Sequence, residues 1–512
     1  MTTPIDDFIR RYVESGPSRL HVPGHKGVGP LGFERFDITE IDGAGALYGA
    51  SDIIAGSQRN ASALFGSAAT FYSAEGSSLC VRAMLFLAMT RAAPKGRPVA
   101  LAARNAHKAF VYAAALCDFD VEWLWPEADG PLCACPVSPK ALAQKLDAMP
   151  EKPFCVYVTS PDYLGGMQDV RALAEVCHAR GVPLLVDNAH GAYLKFLPES
   201  LHPMDLGADM CCDSAHKTLP VLTGGAYLHV SRDADPGFID GAADALSLFS
   251  STSPSWLILR SLDLCNARLA GDFPRALAGA AERVAALKRE LTGRGFGVLP
   301  GEPMKLTISA FQKAPHRSGE LSPQATEGDP LSDDLSLADG FALADRLRQN
   351  GVECEYADAE HVVLMFSPDN APEDFDRISR AVGTASEMGW APHRPCGPPP
   401  HCDGEADLAG FPTAPPRPEA AGTTPPSPAP ALTLREAVFA PSELVPVELA
   451  EGRVCAAPTV SCPPAVPVTV SGERITAEAV RAFQRYGIDV VRVIRQSDLT
   501  TSRCTRPRPP RS

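Results

Sequence analysis

Val182 to Val186 is apolar at every position, and it stops at Asp187-Asn188-Ala189-His190-Gly191. A strand with no polar face has to be covered on both sides. That restricts the chain to a mostly parallel α/β sheet flanked by helices. Open sheets of this kind take their ligands beyond the carboxyl ends of the strands. Asp187 falls at such an edge; the plain alternative is an Asp that caps a turn.

Two further stretches repeat the arrangement. Met210 to Cys212 reads as the end of a buried strand and runs into Asp213-Ser214-Ala215-His216-Lys217-Thr218; Thr223-Gly224-Gly225 then opens a second apolar run, Ala226 to Val230. A Lys in an enclosed site loses proton affinity and becomes a nucleophilic amine, whereas in a surface turn it points into water. Thr70 to Ser73 reads as a short strand. Gly76-Ser77-Ser78 follows it and opens an apolar helix, Leu79 to Thr90. A small-residue turn at a helix start exposes backbone N–H groups and can cradle a phosphate, although many such turns hold nothing.

The pattern continues between and after these. Strands are expected over Pro98 to Ala102 and Phe154 to Thr159, the latter ending in Ser160-Pro161-Asp162-Tyr163. Asp169 N-caps a helix whose apolar face is Val170, Leu173, Ala174 and Cys177, closed by Gly181. Arg275 to Gly295, Ser336 to Gly351 and Pro372 to Ser386 read as helices, and Val352 to Tyr356 and His361 to Phe366 as strands.

Order along the chain carries more than any single motif. A phosphate-type turn, an edge Asp and an edge Lys each follow a predicted strand. Pyridoxal 5'-phosphate needs these groups: a helix N-terminus for its phosphate, a carboxylate for its pyridine nitrogen and an amine for its aldehyde.

Six segments resemble the Orn/Lys/Arg decarboxylase family, pyridoxal phosphate enzymes with the aspartate aminotransferase fold. They are His21-Val-Pro-Gly-His-Lys26, Asp37-Ile-Thr-Glu40, Arg104-Asn-Ala-His-Lys108, Asp187-Asn-Ala-His-Gly191, Ser214-Ala-His-Lys217 and Ser251-Thr-Ser-Pro-Ser255. Cys462-Pro-Pro-Ala-Val-Pro467 with Gly472-Glu473 resembles the family's C-terminal domain. The resemblance implies that Lys217 binds the aldehyde covalently, Asp187 pairs with the pyridine nitrogen and His107 stacks on the ring. It implies that Ser77, Ser78, Ser214 and His216 hold the phosphate and that His190 lies near the ring. Thr252 would reach the cofactor phosphate of a second copy, making a homodimer the smallest active unit. Glu473 and His25 are the substrate-side candidates, with Glu473 facing the distal cation of the substrate.

The expected organisation is an arm over 1–50, a cofactor-binding major domain over 51–240, a small α/β domain over 241–387 and a C-terminal decarboxylase domain over 432–498. Outside the resemblance, the Pro-, Gly-, Ala- and Thr-rich composition over 388–431 reads as a linker and the basic tail over 499–512 as disordered. No stretch matches the flavodoxin-like N-terminal wing of the long enzymes, so their ring assemblies are not expected. The implied reaction is decarboxylation of lysine, arginine or ornithine; an aminotransferase or lyase of the same fold, and a non-catalytic relative, are the alternatives.

Composition bears on partners. The net charge of −14 argues against nucleic acid or an anionic membrane surface as the main partner. No apolar run approaches the roughly 20 residues that span a bilayer. No signal-peptide pattern precedes the first apolar run. The 15 Cys show no repeated spacing, and neither Cys133-Ala-Cys135 nor Cys211-Cys212 completes a zinc pattern with nearby His. The expectation is a reduced, cytoplasmic chain without structural metal.

Overall fold

The computed structural model describes residues 1–49, 51–94, 96–127, 130–309, 340–385, 430–460 and 465–495. Residues 388–429 of the expected linker, the tail over 499–512, the start of the helix expected from Ser336, and Cys462 to Pro464 lie outside the described residues.

Seven strands form the central sheet: β1 (Ala69–Ser73), β2 (Val99–Ala103), β3 (Asp120–Leu124), β4 (Cys155–Thr159), β5 (Leu184–Asp187), β6 (Met210–Asp213) and β7 (Ala226–Val230). Their order is β1-β7-β6-β5-β4-β2-β3. Strand β7 is antiparallel to both neighbours, and β6, β5, β4, β2 and β3 run parallel. The all-apolar strands are covered on both faces. Leu185 of β5 enters one core with the helices Ser77–Ala92 and Lys108–Cys117, while Leu184 and Val186 enter another with the helix Val170–His178. The helix Ser77–Ala92 is apolar nearly all round because the helix Gly237–Phe249 closes its outer side. Gly241 permits that approach: a Cβ there would stand 2.8 Å from Leu87 Cδ1.

Strand β3 is one that the apolar pattern does not announce. It lies at the sheet edge, where Asp120 and Glu122 face outward and break the run.

A second, antiparallel sheet holds β8 (Gly297–Val298), β9 (Lys305–Ser309), β10 (Tyr356–Ala357) and β11 (His361–Met365), in the order β10-β11-β9-β8. The strand expected over 352–356 shrinks to Tyr356–Ala357, because residues 352–355 cross from the end of the helix Gly340–Gln349 to the sheet edge. The first helix, Pro4–Glu14, sends Ile5 and Ile9 into the core shared with this sheet. The C-terminal module has a small core of its own, including Val447, Ile475, Phe483 and Val493. Arg435 docks it by donating from Nη1 to the carbonyls of Ala115 and Leu116, at 3.0 and 3.2 Å.

Candidate active site

The carboxyl edge of the central sheet opens into a cavity of about 400 Å³. Four strand ends build it.

Strand β1 leads through Gly76, at φ +74°, into the helix Ser77–Ala92. The Gly76 N–H donates to the Gly224 carbonyl at 2.7 Å, and Gly224 sits at φ +101° with its missing Cβ 2.9 Å from the Ala74 carbonyl. Two turns thus meet backbone to backbone, which only glycine allows. Their meeting brings Ser214 Oγ within 2.7 Å of Ser77 Oγ, at the start of a 16-residue helix.

Strand β5 delivers Asp187, 3% exposed, which accepts from the Tyr157 hydroxyl at 2.9 Å and from the Ala189 N–H at 3.2 Å. Strand β6 delivers Lys217 on the one-turn helix Ala215–Thr218, with Nζ 3.0 Å from His190 Nε2. Lys217 is open to the cavity rather than covered. The walls around it still lower its affinity for a proton, with Lys305 acting in the same sense and Asp187 and Glu355 against it. His216 donates from Nδ1 to the Gly225 carbonyl at 3.0 Å. After β2, His107 caps the helix Lys108–Cys117 by accepting from the Ala109 N–H at 3.1 Å. Desolvation, only partly opposed by Asp187, brings its pKa down to about 4, so the imidazole is neutral at pH 7.

Eight residues singled out in the sequence therefore line one cavity: Ser77, Ser78, His107, Asp187, His190, Ser214, His216 and Lys217. Three others do not. His25 pairs with Asp37 at 3.2 Å on the N-terminal segment. Thr252 is exposed, on a loop whose Ser251 N–H donates to Glu75 at the cavity rim. Glu473, expected to face the substrate's distal cation, is instead held by Arg104 Nη2 at 3.4 Å and by the Val470 N–H at 2.9 Å. Arg104 also grips the carbonyls of Pro467 and Val468, so the Arg104–Glu473 pair fastens the C-terminal module and is spent within the chain.

The cavity adds Tyr163 and Glu355, which the motifs give no role, and Ala465 and Val466 of the Cys462-Pro-Pro-Ala-Val-Pro467 segment. Tyr163 meets His190 edge to face at 5.0 Å, and its hydroxyl donates to Glu355 at 2.5 Å. Glu355 comes from the segment before β10 and Ala465 and Val466 from the C-terminal module. Tyr163 had a signal, since it follows the carboxyl end of β4; Glu355 had none.

Asn105 Oδ1 and Thr159 Oγ1, both belonging to lining residues, have no hydrogen-bond partner among the described residues. Unpaired acceptors and donors at a cavity wall mark a site built to receive a polar ligand. A larger cleft of about 680 Å³ lies where the amino ends of β2, β4 and β5 meet, against Val99, Phe154 and Pro183. That is the wrong edge of an α/β sheet for catalysis.

The family model described as Orn/Lys/Arg decarboxylase, major domain, matches residues 3–313, and that of the family's C-terminal domain matches residues 421–494. The chain belongs to the Orn/Lys/Arg decarboxylase family. Among curated members, it is 27% identical to the arginine decarboxylase of Bacillus subtilis over 500 residues, covering 93% of this chain and 92% of that one. It is 27% identical to the arginine decarboxylase of Halalkalibacterium halodurans, covering 95% and 94%. Among solved structures, the constitutive lysine decarboxylase of E. coli superposes with a TM-score of 0.68 at 17% identity, covering 96% of this chain and 82% of that one. The Francisella novicida lysine decarboxylase gives 0.69 at 16% identity, covering 96% and 81%. The shared architecture is that of the fold-type-I pyridoxal phosphate enzymes, to which the Orn/Lys/Arg decarboxylases belong.

Proposed function

We propose that this protein removes CO₂ from a basic amino acid, with pyridoxal 5'-phosphate held on Lys217. The observation that carries the reading is convergence: an amine, a buried carboxylate, a neutral imidazole and a helix N-terminus meet in one cavity of a chain of this family. Lys217 supplies an amine in a setting that favours its unprotonated form. Asp187 accepts from Tyr157, Ala189 and, weakly, the Cys212 thiol, and keeps capacity for a ring N–H. Ser77, Ser78, Ser214 and His216 gather hydroxyls, an imidazole and helix N–H groups at one end, which suits a phosphate. His107, uncharged, presents a ring edge or face without repelling a cation.

When bound, the cofactor supplies an electron-accepting ring conjugated to the substrate's α-carbon. The chain does the rest. Asp187 keeps the ring nitrogen protonated. Glu355, exposed at the cavity mouth and bridged to Tyr163, takes the distal cation of the substrate in place of Glu473, which pairs with Arg104. Lys217 Nζ returns one proton to the reacting carbon. The net change replaces the α-carboxylate by a proton and releases CO₂.

Purified protein with the cofactor is given lysine, arginine or ornithine, and CO₂ and product are measured. The expected result is CO₂ and amine in equal amounts from at least one of the three, lost in K217A. Formation of a keto acid in place of CO₂ would refute the reading. For the substrate that reacts, E355Q is expected to raise KM about tenfold, from the loss of one charged contact worth about 1.5 kcal/mol.

We read the loop bearing Thr252 as the place where a second copy meets the site. The chain's mass in solution tests that, with a homodimer expected.

A further inference from the structure

His190 stands between two lysines. Its Nε2 is 3.0 Å from Lys217 Nζ and its Nδ1 is 3.4 Å from Lys305 Nζ. A neutral imidazole has one N–H and one lone pair, and an ammonium has donors only. Two ammonium groups cannot both be satisfied by one neutral ring, so one lysine must meet it as an acceptor.

The surroundings decide which. Lys305 is on β9, its side chain 1% exposed, and its Nζ lies 2.8 Å from Glu302 Oε1, an ion pair by distance rather than an aligned hydrogen bond. It also donates to the Asp162 carbonyl at 3.2 Å. Glu302 is anchored in turn by the Tyr193 hydroxyl, and Lys288 Nζ holds its carbonyl at 3.0 Å. Three acceptors therefore stand within reach of the three protons of Lys305: Glu302, Asp162 and His190 Nδ1.

We propose that Lys305 is a positioning residue: anchored by Glu302, it occupies the His190 Nδ1 lone pair and so directs the Nε2–H at Lys217 Nζ. Lys217 then meets the ring as an acceptor, an amine with its lone pair defined before any aldehyde arrives. Without Lys305 the ring can take its other tautomer and accept from a Lys217 ammonium. The proposal rests on the reading of Lys217 as the reacting amine.

The groups around this pair come from several elements. Asp187 of β5, Cys212 of β6, Glu355 before β10, and Lys305 bear on Lys217; Lys217, Lys305, His107 and His216 bear on His190. Asp187 and Glu355 oppose the effect, and neither is changed in the test.

The full-length protein is freed of cofactor with hydroxylamine and labelled with a trace of acetic anhydride across a pH series. Peptide mass spectrometry follows Lys217 and several exposed lysines of the same chain. In the wild type, Lys217 is expected to acquire its reactivity at a lower pH than the exposed lysines; a shared midpoint overturns the proposal. In K305M the midpoint is expected to rise, cutting labelling at neutral pH about tenfold for each pH unit. K305M/E302Q, which leaves no unpaired buried carboxylate, is expected to behave alike, and K305R to stay nearer the wild type. A midpoint unmoved in K305M or K305M/E302Q overturns the proposal as well. Neither cofactor nor substrate is present, so a failure here is separate from a failure to release CO₂.

Discussion

Asp187 and Asp213 end neighbouring strands of one sheet and are both buried, yet only Asp187 lines the cavity. Asp213 is enclosed. Its Oδ1 accepts from Asn188 Nδ2 at 2.6 Å, and its Oδ2 from His202 Nε2 at 3.0 Å and His229 Nε2 at 3.2 Å. Both histidines have no exposed surface, and Phe65 lies against His229 with ring centroids 4.4 Å apart. Burial alone would push the pKa of Asp213 up, but the two imidazoles outweigh it and hold the carboxyl well below its usual range. Asp187 has a hydroxyl and one N–H, with the Cys212 thiol at 3.7 Å as a weak third. A carboxylate whose lone pairs are filled by the fold serves the fold. One left with capacity beside a cavity can take a ligand.

The largest expected effect is on catalysis. D187N keeps one oxygen for the Ala189 N–H and turns its NH₂ toward the Tyr157 hydroxyl, which can accept, but it loses the charge. Decarboxylation is expected to fall at least about 10²-fold, with thermal stability within about 1 kcal/mol of wild type. D213A is the mirror image: it leaves three buried donors unpaired and is expected to cost about 3–5 kcal/mol in denaturant unfolding. Finding the stability loss in D187N and not in D213A would reverse the comparison.

Acid weighs the two sides against each other. His107, on the open side, has its pKa down to about 4, and His229, on the closed side, is also lowered by burial against the pull of Asp213. The unfolded chain binds protons near pH 6.5 that these folded imidazoles refuse. Their contribution is thus complete above about pH 6.5 and is lost as pH falls through their folded values. Asp213 has the same sign but releases its contribution only far below the window of the histidines. Between pH 7 and 4.5 the unfolding free energy is expected to drop. H107F keeps a ring without a titrating nitrogen and is expected to shrink that drop by about 2 kcal/mol, discounted for the half-buried site. An equal drop in wild type and H107F would place the acid sensitivity on other histidines, His229 on the closed side or His190 and His216 in the cavity, which burial lowers as well.

How much of this was legible in the sequence follows from distance along the chain. Asp187, Lys217, His107 and the Gly76 turn were readable because each follows its own apolar strand, and a strand end, a turn and a helix start are local events. The run of eight cavity residues came from such signals and from the family resemblance. Strand β3 was not readable, because an edge strand carries charge on its open side and loses the apolar signature.

Glu473 and Glu355 mark the boundary between the two kinds of information. Glu473 is a single carboxylate in its stretch and Glu355 one of several between Glu353 and Glu360, and nothing in their neighbours tells which one meets the cavity. Folding assigns Glu473 to Arg104, 369 residues away in the chain, and brings Glu355 and Lys305 to the rim and the back of the site from the second sheet. Periodicity and turn chemistry act over a few residues, so they could set which strand ends carry an amine and an acid. Which charges neutralise one another depends on approaches between segments hundreds of residues apart, and those exist only once the layers have packed.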